Sequence, residues 1–170
     1  VDNEWKPIGT VVSPAISDPP IDVLRAGNFM QLSSVLFRRS WLEKVGGFDE
    51  SIGIIQDVNL LLRIALAGGE FHYCPSADPL AFYRQVESSL SRRNQQEFVR
   101  DLLTNARELH AWLRHADRLT EPRRQVLVTS YAHIARASFR TDPVTFDTAY
   151  TALQELSSKR NYVPSAPRSL

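Results

Sequence analysis

The chain has 170 residues, 43% hydrophobic and 23% charged, a make-up that excludes a collagen-like, a disulfide-framework and a wholly disordered protein. Twenty Lys and Arg stand against nineteen Asp and Glu, a net charge of +1, too balanced for the whole molecule to grip nucleic acid. Cys74 is the only cysteine, so an internal disulfide and a multi-cysteine zinc site are both excluded, and a reduced, cytoplasmic setting is expected.

The charge is uneven along the chain. Residues 1–91 carry seven bases and eleven acids, residues 92–140 ten and five, and residues 141–170 three and three. The middle block predicts a local basic surface, which either faces solvent as Arg-lined helices or makes a peripheral contact with an anionic membrane. No stretch approaches the roughly 20 apolar residues that span a bilayer, and no charged-then-apolar signal segment opens the chain. A start at Val1 rather than Met is expected of a piece of a longer chain.

Taken in chain order, residues 1–23 hold four of the ten prolines and predict an extended approach with at most a short strand at Ile8 to Val12. Asn28 to Phe37 is apolar and small enough to read as a buried strand. Ser40 and Glu43 have capping-box spacing ahead of a short helix, Trp41 to Val45, that stops at Gly46-Gly47. From Asp57, the apolar positions Val58, Leu61, Leu62 and Ala65 follow helical spacing and end at Gly68-Gly69, a left-handed cap signal. Phe71 to Cys74 and Leu80 to Arg84 are short strand candidates.

After Arg93 the period is helical throughout. Phe98, Leu102, Ala106, Leu109 and Leu113 share one face, and Leu127, Tyr131, Ile134 and Ser138 another. Phe146, Ala149, Leu153 and Leu156 follow Asp142-Pro143, where Asp suits the cap and Pro the first helical position. The tail from Asn161 has two prolines and no periodicity, and is expected to be loose. The pair of segments around 126–157 has the form of a repeat hairpin, but one hairpin sets no repeat period.

Chemistry-bearing motifs are few. There is no Gly-x-x-x-x-Gly-Lys or Gly-x-Gly-x-x-Gly, and His72, His110, His115 and His133 lack His-Glu-x-x-His spacing. What remains is a local cluster: Arg38-Arg39, Gly46-Gly47-Phe48-Asp49-Glu50, Gln56-Asp57 at a helix start, and Tyr83-Arg84. The two glycines let the backbone approach a ligand closely, and a helix start holds a carboxylate in a fixed orientation. Each also has a plain structural role: Asp57 as an N-cap, the glycines as a turn, Arg84 as a surface ion-pair partner.

The run Ser34-Val35-Leu36-Phe37-Arg38-Arg39, then Leu42-x-x-Val45-Gly46-Gly47-Phe48-Asp49-Glu50, then Gln56-Asp57-Val58-Asn59-Leu60-Leu61-Leu62-Arg63-Ile64-Ala65-x-x-Gly68, then Tyr83-Arg84 with Ser89 and Ser91, resembles the C-terminal half of the catalytic domain of family 2 inverting glycosyltransferases. The likeness covers about residues 28–93. It implies an α/β fold, partly GT-A-like with a mixed sheet and short helices, followed by an α-helical C-terminal region. The division expected is an acceptor-side half-domain at 1–93, a helical extension of about three helices at 94–160, and a loose tail at 161–170.

The resemblance also implies an activity: transfer of a sugar from a nucleotide-sugar donor to a glycan or lipid-linked acceptor hydroxyl, with inversion, in bacterial cell-surface polysaccharide or glycoconjugate synthesis. Asp57 falls on the catalytic base, which would take the proton of the attacking hydroxyl. Gly46, Gly47, Phe48, Asp49, Glu50 and Gln56 would bind the acceptor, and Arg84 would lie near the donor diphosphate. A divalent Mn or Mg ion is expected in the full-length enzyme, with its ligands outside this chain on a missing N-terminal nucleotide-binding half.

Three positions depart from the family pattern. Gln56 replaces a Glu and keeps hydrogen bonding without charge, Asn59 stands where an acid is common, and Val86 replaces a His near the diphosphate. Gln56 and Val86 favour an alternative, a noncatalytic glycan- or protein-binding module built on the transferase scaffold. A third reading gives the function to the helical C-terminal bundle itself.

Overall fold

A computed structural model describes residue 6 and residues 17–25, 32–74 and 94–157. Among these residues the secondary structure is helical. In chain order come α1 (Pro19–Leu24), a single 3-10 turn (Leu32–Ser34), α2 (Arg39–Val45), α3 (Gln56–Leu66), α4 (Gln95–His115), α5 (Glu121–Ser138) and α6 (Pro143–Ser157).

The expected α/β half with its mixed sheet is overturned: 69% of the described residues are helical and none is in a strand. A strand exists only when its N–H and C=O groups pair with a neighbouring chain, and the described strand candidates have no such neighbour. Residues 32–34 form the 3-10 turn, and 35–37 have no regular secondary structure. Val35 and Phe37 turn toward the core while Leu36 stands 102% exposed, so the alternation that reads as a strand serves an unpaired segment. Phe71 to Cys74 also lacks regular structure. The candidates at Ile8 to Val12 and Leu80 to Arg84, and the tail from Asn161, lie outside the described residues.

The N-terminal stretch read as extended contains α1. Pro19 and Pro20 occupy the first helical turn, where a missing N–H costs nothing, and the Asp22 carboxylate reaches back to accept from Ser17 N (2.8 Å) and Asp18 N (2.9 Å). The capping box at Ser40 does not form. α2 begins two residues earlier than Trp41, at Arg39, and Glu43 receives Arg39 Nε at 2.7 Å instead; the i,i+4 pair draws Glu43 away from the cap.

The glycine stops behave as expected. In α2, Gly46 N–H donates to Glu43 O and Gly47 N–H to Leu42 O; in α3, Gly68 N–H donates to Ala65 O and Gly69 N–H to Ile64 O. Both are Schellman ends, with Gly46 at φ 78° and Gly68 at φ 90° in the left-handed region.

The three C-terminal helices follow the apolar spacing closely. Ala106, Leu109, Leu113, Leu127, Tyr131, Ile134, Ser138, Ala149 and Leu156 are buried, with Phe98, Leu102, Phe146 and Leu153 packed at the margin. Asp142 caps α6 as its position before Pro143 predicts: Oδ1 accepts from Thr145 N at 3.2 Å and Oδ2 from Thr145 Oγ1 at 2.9 Å. α5 and α6 form an antiparallel hairpin whose open end is tied by the buried Arg124, which donates to Leu156 O at 2.7 Å. The start of α4 meets the hairpin's turn through Arg100 Nε to Asp142 Oδ2 at 2.6 Å.

One core joins the N-terminal elements to this bundle. Ile21, Val23 and Leu24 of α1 and Leu61 and Leu62 of α3 share a cluster of buried residues with α4, α5 and α6. Full burial of such side chains contributes roughly 1.5–3 kcal/mol each. Among the described residues no helix is long and apolar enough to cross a membrane.

Candidate functional site

The site begins where α2 ends. Gly46 and Gly47 both have positive φ, 78° and 73°, and two consecutive left-handed residues reverse the chain at little steric cost only as glycine. Phe48 then projects into solvent, 50% exposed. Asp49 fixes the rest of the turn by accepting from Ser51 N (2.9 Å) and Ser51 Oγ (2.7 Å). Those bonds, the hydroxyl's first, hold its carboxyl below the usual range. Glu50 is exposed.

The chain next buries Ile52, Ile54 and Ile55 against Val58, Phe98 and Leu102. This apolar anchor leaves the N–H groups at the start of α3 in a dry place, and Asp101 of α4 collects them: its Oδ2 accepts from Ile54 N at 2.7 Å and Ile55 N at 3.2 Å. A carboxylate from a neighbouring helix thus satisfies the N–H of the cap residue Ile55 and of Ile54 before it, while the N–H of Val58, the third helical residue, goes to Asp57.

Asp57 occupies the second helical position of α3 rather than its cap. Its Oδ1 accepts from Val58 N at 2.8 Å. Burial raises its pKa from the ordinary 3.8, partly offset by hydrogen bonds from the Val58 and Asp57 N–H groups. Gln56 beside it has a buried Oε1 with no hydrogen-bond partner among the described residues.

Nearly two turns further on, α3 carries Arg63. Its guanidinium donates from Nε to Asn59 Oδ1 (2.7 Å), from Nη1 to Val45 O (2.6 Å) and from Nη2 to Gly47 O (2.6 Å). The planar fork fits two carbonyls on successive sides of the glycine reversal, so the turn is fastened to α3. Because Arg63 can only donate, Asn59 must present its oxygen to it, and the amide nitrogen of Asn59 then donates to Asn105 Oδ1 (2.8 Å) and Glu108 Oε2 (3.3 Å). That order leaves Asn105 Nδ2 buried without an acceptor among the described residues. Both amides are 0% exposed. Burial raises the Glu108 pKa, the nearby Arg63 charge opposes it, and the Asp49 charge adds to the rise.

The residues predicted from sequence therefore fall into two groups. Gly46, Gly47 and Asp49 converge with Arg63, Asn59 and Glu108. Asp57 does not share that face: at 100° per residue it lies about 200° around α3 from Asn59, and among the described residues no hydrogen bond or ion pair joins it to the glycine turn. Gln56, three positions before Asn59, is on the Asn59 side. Arg84, Tyr83, Val86, Ser89 and Ser91 lie outside the described residues.

Sequence reasoning missed Arg63, Asn105, Glu108 and Asp101. A signal existed: Asp101, Asn105 and Glu108 recur at steps of four and three on α4, a polar stripe beside the apolar one. Among the described residues no three of His, Cys, Asp and Glu converge as a metal site. No family model, curated protein or solved structure matches the chain.

Proposed function

We propose that the chain is the acceptor-recognising part of an inverting glycosyltransferase, with Asp57 as the base that takes the proton of the acceptor hydroxyl. The observation that carries this reading is the Arg63 clamp, which makes the glycine turn and the helix bearing Gln56-Asp57 one unit. Two further features support it. Asp57 is a partly desolvated carboxyl whose raised pKa suits proton abstraction better than an ordinary aspartate, and Phe48 offers an exposed ring on which a sugar face can pack.

On this reading the donor is a nucleotide sugar, the acceptor a glycan or lipid-linked hydroxyl, the compartment the cytoplasm, and the donor-binding half a separate part of a longer protein. The test is transfer from nucleotide-sugar donors by the full-length protein. Asp57→Asn, with its circular dichroism unchanged, is expected to lower turnover about a hundredfold or more. Wild-type turnover that Asp57→Asn leaves intact removes Asp57 from the chemistry.

A second reading, a noncatalytic glycan- or protein-binding module, is favoured by the divergence of Asp57 from the Asn59–Arg63 face. It predicts no turnover by either protein across common donors, together with glycan binding that Phe48→Ala weakens.

A further inference from the structure

The outer side of the α5–α6 hairpin carries a run of aromatic rings. Phe139, just past the end of α5, meets Phe146 of α6 edge to face at 5.3 Å, and Phe146 stacks on Tyr150 at 5.5 Å. Phe146 is partly buried, but Phe139 is 62% and Tyr150 45% exposed.

Helical spacing makes these rings part of one face. On α6, Phe146, Tyr150 and Leu153 recur at steps of four and three; along α5, Ala132, Arg136 and Phe139 do the same. The hairpin is antiparallel, and the contact between Phe139 and Phe146 sets the two stripes side by side. Thr148, which lines a cleft against α4, lies about 200° around α6 from both Phe146 and Tyr150. The aromatic face therefore looks away from α4.

A contiguous apolar face on the outside of a folded chain marks an interaction surface, and the residues at its rim select the partner. Arg136 stands one turn before Phe139 and Arg140 directly after it, both exposed. Among the described residues neither arginine is in an ion pair. Asp147, one turn before Tyr150, lines the cleft on the α4 side. Uncompensated guanidiniums beside exposed rings attract a negative surface, and the wider field has the same sign: residues 92–140, which include α4 and α5, carry ten bases against five acids.

Shape selects among negative surfaces. Two antiparallel helices side by side present a broad face with both axes in one plane, the arrangement of helices that rest in a bilayer interface. Aromatic rings suit the boundary between headgroups and acyl chains, while Arg keeps its charged end among the phosphates.

We propose that the face built on Phe139, Phe146 and Tyr150 seats the chain on an anionic phospholipid bilayer, with the rings at the acyl boundary and Arg136 and Arg140 on lipid phosphates. The contact is peripheral: the helices lie on the surface and do not span it. This proposal does not depend on the glycosyltransferase reading.

The test is co-sedimentation of the whole chain with vesicles of phosphatidylcholine alone and of phosphatidylcholine mixed with phosphatidylglycerol, beside sedimentation equilibrium without lipid. Binding to the mixed vesicles is expected, at least about tenfold tighter than to the neutral ones. Phe139→Ala with Tyr150→Ala, which changes no charge, and Arg136→Gln with Arg140→Gln should each weaken that binding about tenfold. All four side chains are exposed, so both variants should keep the circular dichroism of the wild type.

No binding, equal affinity for neutral and mixed vesicles, or binding unchanged in either variant overturns the proposal. So does self-association that the alanine variant abolishes in a chain that leaves vesicles alone, which would make a second copy the occupant of the face.

Discussion

Removing the Arg63 guanidinium tests the clamp on which the site is built. Three charge-assisted hydrogen bonds leave with it, at 2.7, 2.6 and 2.6 Å, each worth about 1.5–3 kcal/mol. The two carbonyl acceptors, Val45 and Gly47, are only partly buried and regain water, so they count at the low end. The third acceptor, Asn59 Oδ1, belongs to a side chain with 0% exposure and is stranded, at about 1–3 kcal/mol. Together these give a loss of about 4–6 kcal/mol for Arg63→Met, a large share of the 5–15 kcal/mol typical of a whole domain. Arg63→Lys should recover only about 1 kcal/mol, because one ammonium cannot span two carbonyls and Asn59. Urea unfolding followed by circular dichroism reads both as midpoint shifts at constant slope. A loss below about 1 kcal/mol for Arg63→Met, or full rescue by Lys, would refute the clamp.

Three other substitutions probe separate supports. Asp101→Ala strands the N–H groups of Ile54 and Ile55 in an apolar place and should cost about 2–4 kcal/mol in urea unfolding, two buried donors at roughly 1–3 kcal/mol each less partial relief by water. Gly69→Ala brings a Cβ to 2.9 Å from Ile64 O and should cost more than Gly46→Ala, whose Cβ meets nothing within 4 Å and which carries only the left-handed penalty of about 1–2 kcal/mol; equal losses in thermal unfolding would contradict the packing at Gly69. Asp142→Asn keeps a competent cap but loses the charge facing the half-exposed Arg100, and is expected to cost up to about 1 kcal/mol at neutral pH. The Arg100 hydrogen bond first, then the Thr145 N–H and hydroxyl, hold the Asp142 pKa below its ordinary 3.8. A depressed pKa stabilises the fold above the unfolded value and loses that effect as pH falls through the folded one. The gap between wild type and Asp142→Asn should therefore be flat above pH 3.8 and close below it.

The helices from Gln95 onward were legible because their signals are local. The 3.6-residue spacing of Leu109, Leu113, Leu127 and Ile134 and the Asp142-Pro143 start each act within one or two turns. Strand candidates fail for the opposite reason: alternation at Val35, Leu36 and Phe37 shows which side faces the core, but pairing depends on a neighbour that alternation does not encode. Local signals also compete, as at Ser40, where the Arg39–Glu43 pair outbid the capping box. Of the site, the glycine reversal was legible and its fastening was not, since Arg63 binds backbone carbonyls 16 and 18 residues away. An arginine that reads as one more solvated charge becomes the centre of the arrangement once α2 and α3 are placed together.

Asp57 is where structural and functional roles make opposite predictions about stability. A carboxylate kept only to support the start of α3 should favour folding when ionised, by about 0.3–1 kcal/mol through the helix dipole. The balance at Asp57 runs the other way: burial raises its pKa above 3.8 despite the hydrogen bonds from Val58 and Asp57 N–H. For a raised pKa, the stabilising contribution is full below the unfolded value and is lost as pH rises through the folded one. Ionised Asp57 thus works against the fold at neutral pH, as expected of a group retained for its chemistry. Asp57→Asn, isosteric and uncharged, should be more stable than wild type at pH 7, with the advantage fading as pH falls toward 3.8. Paired urea titrations at several pH values measure this without any substrate. A variant that loses stability, and loses more as pH rises, would return Asp57 to a purely structural place at the start of its helix.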